Sequence, residues 1–311
     1  MTDNQTRWLG DDLAVVDLQF QELPALIASY VVRTADGLAL VDVGPGSTVP
    51  ALIAGLEQLG LSVDDVRYLL VTHIHLDHAG AAGSLLARLP EATMYVHERG
   101  LRHMLNPERL LASARQVYGA LMDPLWGEFL PTPAERSVSV ADGDRLELGG
   151  VTFDIHYTPG HANHHVAYYE PERSIVFAGD VAGVRIPPSP LVWPPTPPPD
   201  INVEAWKAST RKLRELDPEQ LLIAHFGPWG NVWEHLDRLD ARLDEWLAKV
   251  EGWRTAGMNR DQMIAALRDE VLAEIRADAN SSSTEPATTY VTPFYMNVDG
   301  LNRYLDKREA Q

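Results

Sequence analysis

A run of seven residues, Thr-His-Ile-His-Leu-Asp-His, places three imidazoles and one carboxylate within the six positions from His73 to His78. It follows the apolar stretch 66–71, whose β-branched and large apolar residues predict a buried strand. Because side chains alternate along extended backbone, His73 and His75 are expected to point the same way and to bind one metal ion together. Asp77 and His78 come where the chain turns into a helix and are free to face a second ion. Four buried titratable groups without partners would be costly, so the run predicts a metal site at a strand end.

Strands and helices alternate around this run, which indicates helices packed on the outside of β-sheets. The first helix is expected to be capped by Ser47 and ended by Gly60. The sequence predicts strands over 13–17, 28–42 (a pair turning at 36–37), 66–71, 94–96, 137–140, 145–148, 151–157, 166–169 and 174–178, and a further helix over 81–89.

Two segments interrupt the alternation. Leucines and valines at helical spacing predict a helical insertion over 101–130. Eight prolines between Pro187 and Pro199 require an extended segment without regular hydrogen bonding. This loop, 187–199, begins seven residues after Asp180, so we interpret it as a stiff wall beside the site rather than a surface linker.

The end of the chain is predicted to be helical. Apolar residues keep helical spacing over 233–253, and the simplest explanation is packing against the main domain. A second helix over 259–276 carries Asn and Gln at capping-box positions, followed by a polar loop over 280–284 and a short helix over 301–305. The sequence thus predicts a main domain over 1–230 and a C-terminal helical extension over 231–311 packed on it.

Composition limits the classes of function. The chain has no cysteine, so a tightly held metal must use His, Asp or Glu. The net charge of -18 argues against a nucleic-acid partner, because such binding draws on Lys and Arg. No apolar run approaches the about 20 residues that cross a bilayer, and the polar first residues do not form a secretory signal. We therefore expect a cytoplasmic protein with no membrane partner; its long C-terminal helices offer a surface for a homodimer.

Three later positions can complete a two-metal site. His161 follows a Thr-Pro-Gly turn, which exposes the residue after it. Asp180 follows the apolar run 175–178, and His225 leaves the apolar run 221–224. Each of the three is therefore expected at the end of a predicted strand.

These residues carry a resemblance to a known family. Asp42 in Val-Asp-Val-Gly, the run from His73 to His78, His161, Asp180 and His225 match in order the five motifs of the metallo-β-lactamase superfamily, over about residues 12–230. The resemblance implies an α/β fold, a four-layer αβ/βα sandwich with metals at one edge between two sheets.

The same resemblance implies a role for each matching residue. His73, His75 and His161 would bind one metal; Asp77, His78 and His225 the other; Asp180 would bridge them; Asp42 and His165 would support the ligands from behind. Imidazole with carboxylate suits two divalent ions, Zn²⁺ first for the family, with Mn²⁺ or Fe²⁺ as alternatives. His164 is not a usual ligand of the family and would line the pocket or cap a turn.

The implied reaction is hydrolysis of a small-molecule substrate. Two ions share a water and lower its pKa from about 15.7 towards about 7, and the bridging hydroxide attacks a small ester, thioester or lactone. Asp77 is the expected catalytic residue, because it can orient the hydroxide and pass a proton to the leaving group. An apolar entrance could be formed by the insertion over 101–130 together with Trp193, Trp229, Trp233 and Phe226, or these four aromatic residues could simply pack in the core.

Other branches of the family remain alternatives. The motifs Thr-Pro-Gly-His-Ala-x-His-His and Gly-Asp-x-Ala-Gly-Val most resemble an uncharacterised hydrolase-like branch, with glyoxalase II and lactonases as neighbours. The glutathione-binding basic cluster of glyoxalase II is not evident, and no Tyr follows Asp180 as in many lactonases. A mononuclear-iron persulfide dioxygenase, a phosphodiesterase and a catalytically silent binding protein are the other hypotheses.

Overall fold

Two β-sheets pack face to face in the computed structural model, which describes residues 4–278, 289–290 and 293–310. The first sheet has seven strands in chain order: β1 Arg7–Trp8, β2 Leu13–Asp17, β3 Ala28–Thr34, β4 Gly37–Val41, β5 Val66–Leu70, β6 Thr93–His97 and β7 Ser137–Val140. The second has six in the order β13-β12-β11-β10-β9-β8: β8 Arg145–Leu148, β9 Val151–Tyr157, β10 Val166–Glu170, β11 Ile175–Val184, β12 Gln220–His225 and β13 Gly227–Trp229.

Each sheet mixes antiparallel and parallel pairs. Strands β1 to β4 are antiparallel neighbours, whereas β4, β5, β6 and β7 run parallel. In the second sheet β8 to β11 are antiparallel, β12 runs parallel to β11, and β13 returns antiparallel. Parallel neighbours need long crossovers, and here helices supply them.

Helices cover the outer faces of both sheets. They are α1 Val49–Gln58, α2 Leu76–Ala79, α3 Ala82–Arg88, α4 Glu98–Leu105, α5 Glu108–Tyr118, α6 Met122–Trp126, α7 Val203–Glu215, α8 Val232–Thr255, α9 Arg260–Ala277 and α10 Phe294–Glu309. None of the helices in the described part of the chain is long and apolar enough to cross a membrane. The predicted four-layer α/β sandwich with a C-terminal helical region is confirmed.

Alternation along the strands separates two apolar cores. In β3, Tyr30 and Val32 belong to the core between the sheets, while Val31 faces the outer core with Leu52 and Leu56 of α1. Buried hydroxyls tie the two sheets together. The Tyr30 hydroxyl donates to the Ile223 carbonyl at 2.7 Å.

Four details differ from the sequence predictions. Ser47 does not cap α1, which follows a 3₁₀ turn and has Thr48 at its cap position; the Ser47 hydroxyl donates to the Leu125 carbonyl instead. Helix α7 was not predicted. Strand β11 extends well beyond 178, because β12 continues to pair with it. Helix α10 has 16 residues rather than the five predicted over 301–305.

The two interrupting segments occupy the predicted places. The insertion forms α4 to α6, which begin at Glu98, slightly before the predicted bound. The segment 187–199 has no regular helix; one isolated bridge joins Trp193 to Val184. Helix α9 has the predicted capping box of Asn259 and Gln262. The polar loop predicted over 280–284 lies outside the described residues, and the division into two domains at 230 stays a prediction.

The Tyr30 hydrogen bond generates a stability prediction. Tyr30→Phe leaves the buried Ile223 carbonyl without this donor, which should lower the free energy of unfolding by about 1–3 kcal/mol in urea denaturation. Tyr169→Phe is the control, because within the described residues its hydroxyl makes no hydrogen bond, and it should change stability little. An equal decrease in the free energy of unfolding for the two variants would contradict this role of Tyr30.

Candidate metal centre

The candidate ligands come together at one edge of the two sheets. Strand β5 ends at Leu70, and the chain runs irregularly through His73 and His75 before α2 begins. Asp77 and His78 lie in the single turn of α2. The run therefore lies between a strand end and a helix start, as the sequence predicted. His161 follows β9 in a loop, and His225 is the last residue of β12.

Asp180 is placed differently from its prediction at a strand end. It lies inside the ten-residue strand β11, where the register with β12 shifts between Phe177 and Gly179 and again between Gly179 and Val184. Irregularities of this kind re-aim a side chain within a strand. Asp180 therefore reaches the site from the middle of a strand.

A first group of ligand atoms surrounds His75. Its Nδ1 lies 2.9 Å from Nε2 of His73 and 2.9 Å from Nε2 of His161. The Oδ2 atom of Asp180 lies 3.3 Å from His161 Nε2 and 4.0 Å from His73 Nε2. Three imidazole nitrogens thus lie within 4.8 Å of one another, and one carboxylate oxygen lies beside two of them.

A second group lies on the other side of Asp180. The Oδ1 atom of Asp180 is 3.2 Å from His78 Nε2 and 3.4 Å from His225 Nε2. The Oδ2 atom of Asp77 is 3.4 Å from the same His225 nitrogen and 3.6 Å from His78 Nε2. Asp180 therefore turns one oxygen towards each group.

This donor set fits two zinc-like ions. Tetrahedral bonds of about 2.0–2.1 Å put donor atoms about 3.3 Å apart, close to most of these separations. Among the described residues, His78 Nε2 and Asp180 Oδ1 are buried side-chain atoms that make no hydrogen bond. Buried polar atoms without partners are rare, and a shared cation would satisfy both.

Asp42 contacts His78 of the second group at the ring nitrogen that faces away from the other ligand atoms. Its φ of +53° lies in the left-handed region, which Asp tolerates better than most residues. One carboxylate oxygen accepts from the Thr72 amide at 2.8 Å, and the other lies 2.9 Å from His78 Nδ1. A carboxylate on the far nitrogen fixes the ring and makes Nε2 the free electron-pair donor.

Two further imidazoles are fixed in the same way, by backbone carbonyl oxygens. His161 Nδ1 lies 2.8 Å from the Pro195 carbonyl, and His225 Nδ1 lies 2.7 Å from the Leu26 carbonyl. Each Nδ1 can donate to its carbonyl, which leaves Nε2 of both rings facing the site. Pro195 thereby links the proline-rich loop directly to the candidate ligands.

His165 contacts the backbone of Asp180. Its Nδ1 lies 2.8 Å from the Thr158 hydroxyl, and its Nε2 accepts from the Asp180 amide at 3.1 Å. It therefore joins the turn before His161 to β11. His164 makes a different contact. Its Nδ1 accepts a hydrogen bond from the Ile74 amide at 3.4 Å, and its side chain lines the cavity described below.

Helix α7 closes on the turn before His161. Gly160 has a φ of +136°, and a Cβ there would clash with the backbone of Trp206, so only glycine permits this approach. The Trp206 indole donates to the Val181 carbonyl at 2.8 Å, and its ring lies 5.5 Å from the His161 ring. The unpredicted helix thus supports one candidate ligand.

Burial and charge act differently on the two groups. Burial, with the neighbouring imidazoles, holds the pKa of His73 well below its usual value. Burial would also lower the pKa of His78, but the carboxylates of Asp180, Asp77 and Asp42 outweigh it and raise that pKa well above the usual value. Burial would raise the pKa of Asp77, but His78 and a neighbouring imidazole lower it to about 2. Asp77 is therefore anionic at neutral pH, as a ligand of a cation must be.

A cavity of about 730 Å³ opens above the candidate ligands. His75, Asp77, His161 and Asp180 reach its floor, so both groups are accessible from it. Its walls come from the insertion, from Pro195 to Asp200, and from the segment that leads into α10. The position of the prolines agrees with the predicted stiff wall.

The sequence prediction placed the insertion at the cavity correctly but named the wrong individual aromatic residues. Trp193, Trp229, Trp233 and Phe226 do not line it; Trp193 and Phe226 are buried in the core, and Trp233 is exposed. The aromatic lining is Phe20, Tyr118, Trp126, Tyr290 and Tyr295. Only Tyr118 and Trp126 lie in a segment that the sequence pattern marked, the insertion.

Known proteins with similar sequences share the candidate site region. The sequence profile of the metallo-beta-lactamase superfamily matches residues 24–225. The metallo-beta-lactamase fold-containing protein ST1585 of Sulfurisphaera tokodaii is 29% identical over 210 residues, 66% of this chain and 75% of that protein. The hydroxyacylglutathione hydrolase of Thermosynechococcus vestitus is 31% identical over 166 residues, 52% of each protein. The chain spans about half the length of that hydrolase.

Solved structures resemble a larger part of the chain. The metallo-beta-lactamase family protein TTHA1429 from Thermus thermophilus superposes with a TM-score of 0.66. The match covers 96% of this chain and 94% of that chain at 23% identity. This likeness concerns the fold, including the C-terminal helices.

The contacts of Asp42 generate a prediction about metal affinity. Asp42→Asn removes the negative charge behind His78 and should weaken zinc binding about 10–100-fold, measured by competition with a chromophoric chelator. Asp65→Asn, at an exposed position, is the control and should bind zinc like the wild type. Circular dichroism checks that both variants are folded. Unchanged zinc affinity in folded Asp42→Asn would contradict the supporting role.

Proposed function

The chain belongs to the metallo-β-lactamase superfamily, a family of metal-dependent hydrolases, and we propose that it uses two divalent ions to hydrolyse a small ester, thioester or lactone. The observation that carries this proposal is the Asp180 carboxylate, with one oxygen near each of two groups of ligand atoms. Zinc is the first choice of metal, with Mn²⁺ or Fe²⁺ as alternatives that the same ligands accept.

Seven residues would hold the two ions. The first ion would take His73, His75 and His161, the second Asp77, His78 and His225, and Asp180 would bind both. When bound, two such ions lower the pKa of a shared water towards about 7 and polarise the carbonyl oxygen of the substrate.

Asp77 is the residue of this set that is best placed to move a proton. Its side chain is 24% exposed to the cavity, whereas the side chain of Asp180 is 4% exposed. Its lowered pKa, about 2, keeps it ionised, so it can orient a water by accepting its hydrogen bond. The water oxygen bonds to the acyl carbon, the bond from carbon to the leaving oxygen or sulfur breaks, and the leaving atom takes up the proton.

The relatives support hydrolysis over the oxidoreductase alternative. Several proteins with related sequences are named hydroxyacylglutathione hydrolase, among them those of Thermosynechococcus vestitus and Aeromonas hydrophila. A persulfide dioxygenase with one iron would leave the second group of ligand atoms without a purpose. A phosphodiesterase is also less well supported, because none of the relatives named above is named as a phosphodiesterase.

The proposal is tested by metal removal and a substrate panel. Protein loaded with Zn²⁺, Mn²⁺ or Fe²⁺ is assayed on acyl thioesters, esters, lactones and phosphodiesters, before and after treatment with a chelator. We expect thioester, ester or lactone hydrolysis that disappears with the metal and returns when it is added back. Hydrolysis that survives complete metal removal, or oxygen uptake on persulfide with one iron per chain, would contradict the proposal.

Asp77→Asn tests the proton-transfer role. The amide cannot accept a proton, so kcat should fall about 10²–10⁴-fold. Metal content is measured on the same sample, because Asp77 is also a proposed ligand, and the comparison is made at full metal loading. Asp123→Asn, at an exposed position of α6 away from the cavity, is the matched control. A fully loaded Asp77→Asn protein with wild-type kcat would exclude this role.

A further inference from the structure

The two ends of the cavity differ in polarity. His164 lines the cavity beside His75, with ring centroids 5.6 Å apart. Helix α4 packs directly on it, since a Cβ at Gly100 would lie 3.7 Å from the His164 Cβ atom. The next residues of α4, Arg102 and His103, also line the cavity. The end beside His75 is therefore polar.

Two arginines of the polar end have no acidic partner among the described residues. Arg102 donates to His103 Nε2 at 3.1 Å, and Arg109 at the start of α5 lines the same cavity. Across the described residues, neither arginine has a carboxylate within 4.0 Å. Asp200 lines the cavity too, so the two arginines leave an excess of positive charge. Unpaired cations in a chain of net charge -18 are suited to an anionic ligand.

The opposite end, beside Asp77, is aromatic. Tyr118 and Asp77 both line the cavity. The Tyr118 and Trp126 rings are 5.0 Å apart, the Trp126 and Phe20 rings 5.5 Å, and the Phe20 and Tyr290 rings 6.3 Å. These four rings form a continuous apolar wall, which we call the aromatic wall. Such walls bind hydrocarbon and contribute little to recognising charge.

Helix α5 joins the two ends. Its cavity-lining residues fall on one face, with Arg109 at the polar end and Tyr118 at the aromatic wall. The two residues are nine positions apart, which corresponds to about 14 Å along an α-helix. Val117, 41% exposed, and Leu121, 60% exposed, extend the apolar lining to the mouth of the cavity. The site is thus long enough for a chain of several carbons on one side of the candidate metals.

We propose that the substrate is an acyl thioester or ester that lies along α5, with a medium-length apolar acyl chain against the aromatic wall and an anionic leaving group at Arg102 and Arg109. This inference rests on the proposed function, because it orients the substrate over the same two groups of ligands. Water adds to the acyl carbon and the bond to the leaving group breaks. The products are an apolar carboxylate and an anionic thiol or alcohol.

The first experiment varies both ends of the substrate. Zinc-loaded full-length protein is assayed on thioesters with acyl chains of two to twelve carbons, attached to neutral N-acetylcysteamine, carboxylate-bearing glutathione or phosphate-bearing coenzyme A. We expect kcat/KM to rise at least about tenfold from acetyl to octanoyl, as apolar area is buried. We also expect about a tenfold preference for one anionic thiol over the neutral one, which shrinks in 0.5 M salt. The favoured thiol identifies a carboxylate or a phosphate as the anion.

Charge-removing variants test the polar end. Arg102→Gln combined with Arg109→Gln should reduce the preference for the anionic thiol over the neutral thiol to about twofold or less. Arg115→Gln, on the same helix but outside the cavity, is the matched control and should keep the preference. Equal effects of the double variant and the control would overturn the assignment of the arginines.

A polar substitution tests the acyl side. Val117→Asn should lower the ratio of kcat/KM for octanoyl thioesters to kcat/KM for acetyl thioesters several-fold. Val138→Asn is the control, because Val138 is similarly exposed, 40% against 41%, but lies on β7 outside the cavity. The same dependence on acyl length in Val117→Asn and the wild type would overturn the placement of the chain.

Calorimetry separates this inference from the proposed function. A non-hydrolysable octyl thioether of each thiol is titrated into zinc-loaded protein. If no thioester or ester is hydrolysed but the anionic thioether binds with arginine-dependent affinity, the hydrolase proposal fails and the oriented binding site stands. Hydrolysis with rates independent of chain length and charge leaves the hydrolase proposal intact and overturns the inference.

Discussion

The position of the Asp180 carboxylate is the constraint on which the site depends. A buried carboxylate is costly unless cations or hydrogen-bond donors surround it. Here one oxygen meets His161 and the other meets His78 and His225, while His165 accepts a hydrogen bond from its backbone amide. The irregular register of β11 against β12 places it there. The site therefore requires the two sheets to meet at one fixed edge. The aromatic wall and the two arginines can act on a substrate only because they lie above the candidate ligands at this edge.

The candidate ligands could be named from the sequence because each lies in a short local motif. The run from His73 to His78 carries four potential ligands in six positions, and no structural role explains that density. The position of Asp180 within its strand was predicted less well. The apolar run before it ends at 178, whereas pairing with a distant partner extends β11 to Val184. Pairing between strands far apart in sequence is not visible in a local pattern.

The aromatic lining of the cavity was the part of the site that sequence reasoning did not predict residue by residue. Trp193 and Phe226 are close in sequence to motif residues, yet their side chains pack in the core. The rings of the aromatic wall come from the loop after β2, the insertion and the segment before α10, so their contact depends on tertiary packing. Helix α7 escaped prediction although it supports His161. Motifs therefore indicated the chemistry, and long-range packing determined the shape of the cavity.

The central claim is that Asp180 lies between two ions, and anomalous diffraction from a zinc-loaded crystal tests it most directly. The account predicts two anomalous peaks about 3.5–4 Å apart, one among His73, His75 and His161 and the other among Asp77, His78 and His225, each beside one oxygen of Asp180. A single peak at full zinc loading, or two peaks that do not share Asp180, would contradict it.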